Sequence, residues 1–158
     1  MIILDSNLWV FGTVGASARA ERLLDEVEAG ETTAAINAYI LQEVLTAFDR
    51  TPGLSPAERD ELKTLFCTRL TRMEGLVEAP SSRDASDALL AQRRAATHTA
   101  LLARILDIQA KDVPILVLAF EHIERRPTIL TNDASFASLN PSEHRIPDLD
   151  IEHVPVEH

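Results

Sequence analysis

The chain is poor in several residue types, and each shortage removes a class of function. It has one cysteine, Cys67, so no internal disulfide can form and a reducing, cytoplasmic setting is expected. Cys67 flanks an apolar helical stripe and reads as a small core residue. Five glycines are scattered along the sequence, and none builds a dinucleotide fingerprint or a phosphate loop closed by Gly-Lys. Serine-nucleophile motifs are also missing. Aromatic residues make up 4%, too few for a broad base-stacking surface. No apolar run approaches the roughly 18–20 residues that a bilayer crossing needs. The start, MIILDSNLW, lacks the basic segment of a signal peptide, so no membrane association is expected. The histidines (His98, His122, His144, His153 and His158) show no metal-ligand spacing and read as surface residues. With no repeat, low-complexity tract or linker, residues 1–158 read as a single domain.

Lysine is scarce too. Only Lys63 and Lys111 stand among 15 basic residues, against 25 acidic ones, and the formal charge is −10. That composition resembles proteins of a salt-rich, halophilic cytoplasm. At about 1 M salt the Debye length is only about 3 Å, so self-repulsion is largely screened. The same screening weakens attraction to phosphate. Nucleic-acid binding by such a chain must rest on metal ions, fitted contacts or a partner. Arg93-Arg94 and Arg125-Arg126 are basic pairs that could touch RNA phosphates or an antitoxin, although solvated helix charge is the simpler explanation.

What is present is an alternation of short apolar runs and helical periodicity. Ile2-Ile3-Leu4 reads as a buried strand, and Ala20, Leu23, Leu24 and Val27 predict a helix over about 17–29 that stops at Gly30. Residues 32–36 read as a second strand. Asn37 then caps a helix with Ile40, Leu41, Val44, Leu45 and Phe48 on one face. Ser55 and Glu58 form a capping box with Pro56 at the first helical position, opening a helix to about residue 74 along Leu62, Leu65, Phe66, Leu70 and Met73. A weak strand follows at 76–79. Helix is expected over 84–108, with a break near Thr97-His98-Thr99, and over 113–124. Short strands are expected around Ile129-Leu130 and at 151–154, with a loop-like stretch between 140 and 150. Such alternation argues for a parallel sheet covered on both faces, with any ligand beyond the carboxyl ends of the strands.

Acids stand at those ends. Asp5 follows the first strand and Asp133 follows Ile129-Leu130-Thr131-Asn132. Glu43 lies on the helix after strand two, and Asp112 opens the helix before the Asp133 strand. Each has an ordinary explanation. Asp5 could shape a turn, and Asp112 and Asp133 could cap helices. Glu43, roughly 130° from the centre of its apolar stripe at about 100° per residue, could be solvated.

Taken together, four segments resemble the PIN-domain ribonucleases, above all the small toxins of VapBC toxin–antitoxin pairs. They are Leu4-Asp5-Ser6-Asn7, Leu41-Gln42-Glu43-Val44, the run from Lys111-Asp112 to Ala119, and Thr131-Asn132-Asp133-Ala134-Ser135-Phe136. The interval from Glu43 to Asp112 is somewhat long for the family, and Pro114 stands where a small residue is more usual. The resemblance implies a three-layer α/β/α PIN-like domain with a mainly parallel central sheet. It implies a Mg²⁺- or Mn²⁺-dependent endoribonuclease whose acidic cluster, catalytic and metal-binding, is Asp5, Glu43, Asp112 and Asp133. Ser6, Asn7, Thr131 and Asn132 would support those acids or orient substrate. It further implies 5′-phosphate and 3′-hydroxyl products, an RNA substrate, a cognate antitoxin encoded just upstream, and a homodimer.

The chemistry is consistent with such a cluster. Hard divalent cations prefer oxygen ligands. Phosphodiester hydrolysis needs an activated water and neutralised phosphate charge, which one or two such ions supply. Two carboxylates about 5 Å apart repel by roughly 3 kcal/mol at an effective dielectric of about 20. Neutralising one, by Asp5→Asn or Asp133→Asn, is therefore expected to abolish cleavage and to stabilise the metal-free protein. The alternatives are a housekeeping RNA-processing nuclease and a PIN-like binding module that cuts nothing. A haloacid-dehalogenase-type phosphatase, the remaining contender, needs Asp-x-Asp after its first strand, whereas this chain has Asp5-Ser6-Asn7.

Overall fold

The computed structural model describes residues 1–79 and 96–156. Five strands form one all-parallel sheet: β1 (Ile2–Leu4), β2 (Ala34–Ala35), β3 (Leu76–Glu78), β4 (Thr128–Thr131) and β5 (Asp150–His153), in the spatial order β3-β2-β1-β4-β5. The helices are α1 (Ser6–Thr13), α2 (Ala18–Glu28), α3 (Ala38–Arg50), α4 (Pro56–Arg72), α5 (Ala96–Leu106), α6 (Val113–Glu121) and the short α7 (Ala134–Ala137). The result is the three-layer α/β/α arrangement expected for a PIN-like fold.

The strand order locates the crevice. From β1 the chain steps outward to β2 and then β3, with α1 to α4 packed together along the way. It then returns past β1 to β4, and α6 packs on both β1 and β4 with α5 against it. Right-handed crossovers in opposite directions put these two groups of helices on opposite faces. The direction reverses between β1 and β4. Their register pairs Ile2 with Thr128, Ile3 with Ile129 and Leu4 with Leu130, so both strands end level at the carboxyl rim.

Several sequence expectations are refined. β2 is only Ala34–Ala35, although backbone bonds to Thr33 and from Ile36 extend the pairing at both ends. The third strand and the capping box at Ser55, Glu58 and Pro56 stand as expected. α5 runs unbroken through Thr97-His98-Thr99 and stops at Asp107, whose φ is 54°. The part of that helix expected before residue 96, together with Arg93-Arg94, lies outside the described residues, as does His158.

α1 has no counterpart in the sequence expectations. It is eight residues long and packs closely on α2, where a Cβ on Gly12 would sit 2.9 Å from the Ala20 carbonyl oxygen. Cys67 is exposed, not core. α4 fully buries only Phe66, and Leu65 is 51% exposed. The helix rests on the core along the narrow line Leu62, Phe66, Leu70, and Cys67 falls about 100° outside it. Phe66 meets Trp9 and Phe48 edge-on, at centroid distances of 6.1 and 5.9 Å. Among the described residues no helix is long and apolar enough to cross a membrane.

Candidate active site

Four helix starts meet the carboxyl rim of the sheet, and each brings a polar side chain. Asp5 is the first residue after β1 and the N-cap of α1. Its Oδ1 accepts from the backbone N–H of Leu8 at 2.9 Å, and its Oδ2 accepts from Thr131 Oγ1 and from the backbone N–H of Asn132. The carboxylate is 5% exposed, and burial raises its pKa against the lowering effect of these donors. Thr131 Oγ1 also accepts from the backbone N–H of Asp133, so one hydroxyl links the ends of β1 and β4. Asn7 Nδ2 donates to Asn132 Oδ1 at 2.9 Å and closes the same seam from α1. Ser6, the first residue of α1, is half-buried.

Asp133 caps α7, with Oδ1 accepting from the backbone N–H groups of Ser135 and Phe136. Its Oδ2 accepts from Gln109 Nε2 at 2.9 Å and lies 3.8 Å from Lys111 Nζ. Asp112 precedes α6 but makes no capping bond with its side chain. It is 4% exposed, and its pKa is pushed up to about 6, first by burial and then by the charges of Asp133 and Asp5. Lys111 partly opposes that rise. α6 begins at Val113 with Pro114 in its first turn, so the proline leaves Asp112 at the helix start.

Glu43 reaches the rim from α3. That helix packs on α6 as well as on α1 and α4, so a flank outside its main stripe of Ile40, Val44 and Phe48 is also covered. Glu43 is therefore half-buried rather than solvated. Tyr39, one helical turn earlier, donates its hydroxyl to Glu43 Oε1 at 2.9 Å. Among the described residues Glu43 Oε2 is buried without a hydrogen-bond partner. The Tyr39 phenol is held well above its usual pKa by burial and by Glu43, with Asp112 adding to the effect. Asn37 caps α3 and donates its Nδ2 to the carbonyl of Pro114 at 3.1 Å, fixing α3 to α6.

Asp5, Asp112 and Asp133 thus share one electrostatic neighbourhood, and Tyr39 responds to both Glu43 and Asp112. The fold as a whole resembles a solved structure. It matches a chain of the crystal structure of VapBC2 from Rickettsia felis bound to a DNA fragment from their promoter, with a TM-score of 0.53. The match covers 98% of this chain and 99% of that one at 17% sequence identity, a likeness of fold. No protein-family profile matches the sequence, and no curated protein matches it.

The ordinary explanations of two acids also hold. Asp5 and Asp133 do cap helices, and among the described residues no three His, Cys, Asp or Glu side chains form a group already shaped for a metal ion. What capping leaves unexplained is the buried, unpartnered oxygen of Glu43 and the buried carboxyl of Asp112. Tyr39, Gln109 and Lys111 do not stand out in the sequence as site residues. Tyr39 was detectable in principle, standing four residues before Glu43 on a helix. Gln109 carried no signal, because a loop conformation brings it to Asp133.

Proposed function

We propose that this chain is a divalent-metal-dependent endoribonuclease, the toxin of a toxin–antitoxin pair. The observation that carries the reading is the unfinished chemistry at the β1–β4 switch point. Half-buried Glu43 holds a buried carboxylate oxygen with no partner among the described residues, and Asp112 is buried at the start of α6 without capping it. Crevices at such a reversal of strand order are where ligands of open parallel sheets bind. An all-oxygen donor set suits Mg²⁺ or Mn²⁺.

Asp112, Glu43, Asp133 and Asp5 would hold the ion. Bound there, it would neutralise phosphate charge and activate a water for attack on phosphorus. Asp112 and the free oxygen of Glu43 are the direct ligands this reading favours. Asp5, already holding three donors, keeps β1 and β4 in register beneath them. Tyr39 leaves only one oxygen of Glu43 uncommitted and so aims it. Asn7 and Asn132 hold one another, and Asn132 adjoins Asp133. Ser6 at the start of α1 is near enough in sequence to orient substrate.

The toxin assignment takes its support from the fold's likeness to a chain of the VapBC2 complex. An antitoxin partner, an RNA substrate and a homodimer belong to the same reading, as does a single domain over residues 1–158. A silent binding module is the second reading, and the capping roles of Asp5 and Asp133 favour it. One experiment separates them. Incubated with RNA and Mn²⁺, the protein is expected to cut internally, and chelator or Asp112→Asn should lower the rate at least 100-fold. Unchanged cutting by Asp112→Asn, or no cutting by the wild type, refutes the nuclease assignment.

A further inference from the structure

A cleft of about 440 Å³ opens between the start of α2 and the end of β5. Ser17, Arg19 and Arg22 line one side, and Glu152, His153 and Val154 the other. The acid rim does not use it, yet the two are joined. In the β4–β5 register His153 lies opposite Thr131, and Val154 N–H donates to the Thr131 carbonyl at 2.8 Å. The His153 ring Nε2 is 3.2 Å from the carbonyl oxygen of Asn132. One wall of the cleft is thus the strand next to the one that delivers Asp133, and neighbouring strands lie about 4.8 Å apart.

Two arginines, Arg19 and Arg22, line the cleft together. Arg19 and Arg22 sit three residues apart on one face of α2 and are exposed. Arg69 is held by Asp25 and Glu28 and Lys63 by Asp49 and Asp60, so acids on this surface do take up nearby cations. Among the described residues Arg19 and Arg22 make no ion pair, although Glu152 stands across the cleft. A chain of charge −10 with an acidic rim repels a polyanion, so unneutralised guanidinium groups beside that rim are where an RNA backbone can be held. Guanidinium geometry matches phosphate with paired hydrogen bonds.

We propose that this cleft seats a phosphodiester of the RNA strand flanking the one presented to the acids. Arg19 and Arg22 grip the phosphate, and His153 forms the wall between it and the rim. Glu152 opposes binding and limits its strength. This rests on the nuclease reading for the identity of the strand, not for the existence of the site.

The test compares Arg19→Ala/Arg22→Ala with a control, Arg50→Ala/Arg72→Ala, that removes the same charge from exposed helix ends elsewhere. Binding of a labelled single-stranded RNA of mixed sequence is followed by fluorescence anisotropy in an Asp112→Asn background, and cleavage with Mn²⁺ otherwise. The cleft pair is expected to weaken binding at least tenfold and to lower the salt slope by about 0.7, the value for one lost phosphate contact on a single strand. It should raise KM far more than it lowers kcat. The control should stay within about twofold, and Glu152→Gln should tighten binding. Equal losses in both pairs, or none in either, overturn the proposal. RNA cut by the wild type with an unchanged KM in the cleft pair overturns the cleft alone. Arginine-dependent binding without cutting overturns only the nuclease reading, and neither binding nor cutting overturns both.

Discussion

Asp112 is the residue at which structure and chemistry are most at odds. Its carboxyl is buried, uncommitted to capping, and pushed up to about 6 from an ordinary 3.8. A folded-state pKa above the unfolded one means that the native protein binds the proton more tightly. The stability this gives is present in full below the ordinary pKa and is lost as pH rises through about 6. The loss amounts to at most about 3 kcal/mol, at 1.36 kcal/mol per unit. In chelator, urea unfolding should therefore show wild type weakening between about pH 4 and 7, with Asp112→Asn flatter and more stable at pH 7. A variant less stable at neutral pH would show that ionised Asp112 is well solvated. The structure withdraws the same expectation for Asp5. An asparagine there would turn an NH₂ toward one or both of the groups that now donate to Asp5, and leave a buried clash where a carboxylate accepts three bonds.

At the scale of elements, the rim depends on how α3 is anchored, and Asn37 does two jobs at that point. Its Oδ1 caps the helix through the Ile40 N–H, and its Nδ2 holds the Pro114 carbonyl of α6. Asn37→Ala should cost about 1–2 kcal/mol in urea unfolding. Asn37→Asp should keep the cap, lose the tether, and impair activity more than stability, because Glu43 and Asp112 ride on the two helices being held. Equal effects of both substitutions would show that only the cap matters. Caps were among the most readable features of the sequence: Asn37 and the Ser55–Glu58 box both act as the pattern suggests. α1 was not readable. Leu8, Trp9, Gly12 and Thr13 form its buried face, and a glycine and a threonine in the last turn hide the apolar period. Its cap, Asp5, had already been explained as a site acid. In the candidate site the placing of Asp5, Asp112 and Asp133 was legible, because strand ends and helix starts are local signals. That Glu43 is half-buried was not, since it follows from α6 packing beside α3, a contact between residues far apart in sequence. Cys67 was misplaced because α4 touches the core along one narrow line, which composition cannot reveal.

For the whole molecule, the excess of acid outweighs every other electrostatic feature. The net charge of −10 is spread over a surface where several of the cations are already paired, and the rim adds buried acids to that burden. Self-repulsion of this kind is long-range and falls with screening. The urea midpoint should rise steadily between about 0.1 and 1 M KCl, as the Debye length drops from about 10 to about 3 Å. RNA binding should fall over the same range, since the phosphate contacts proposed for Arg19 and Arg22 are equally screened. The two trends run in opposite directions, so maximal cleavage should occur at intermediate salt, where the protein is folded and still holds its substrate. A midpoint independent of KCl would place the repulsion in local pairs such as Asp112 with Asp133, too close for mobile ions to screen. In that case Mn²⁺ alone, and not salt, should stabilise the fold.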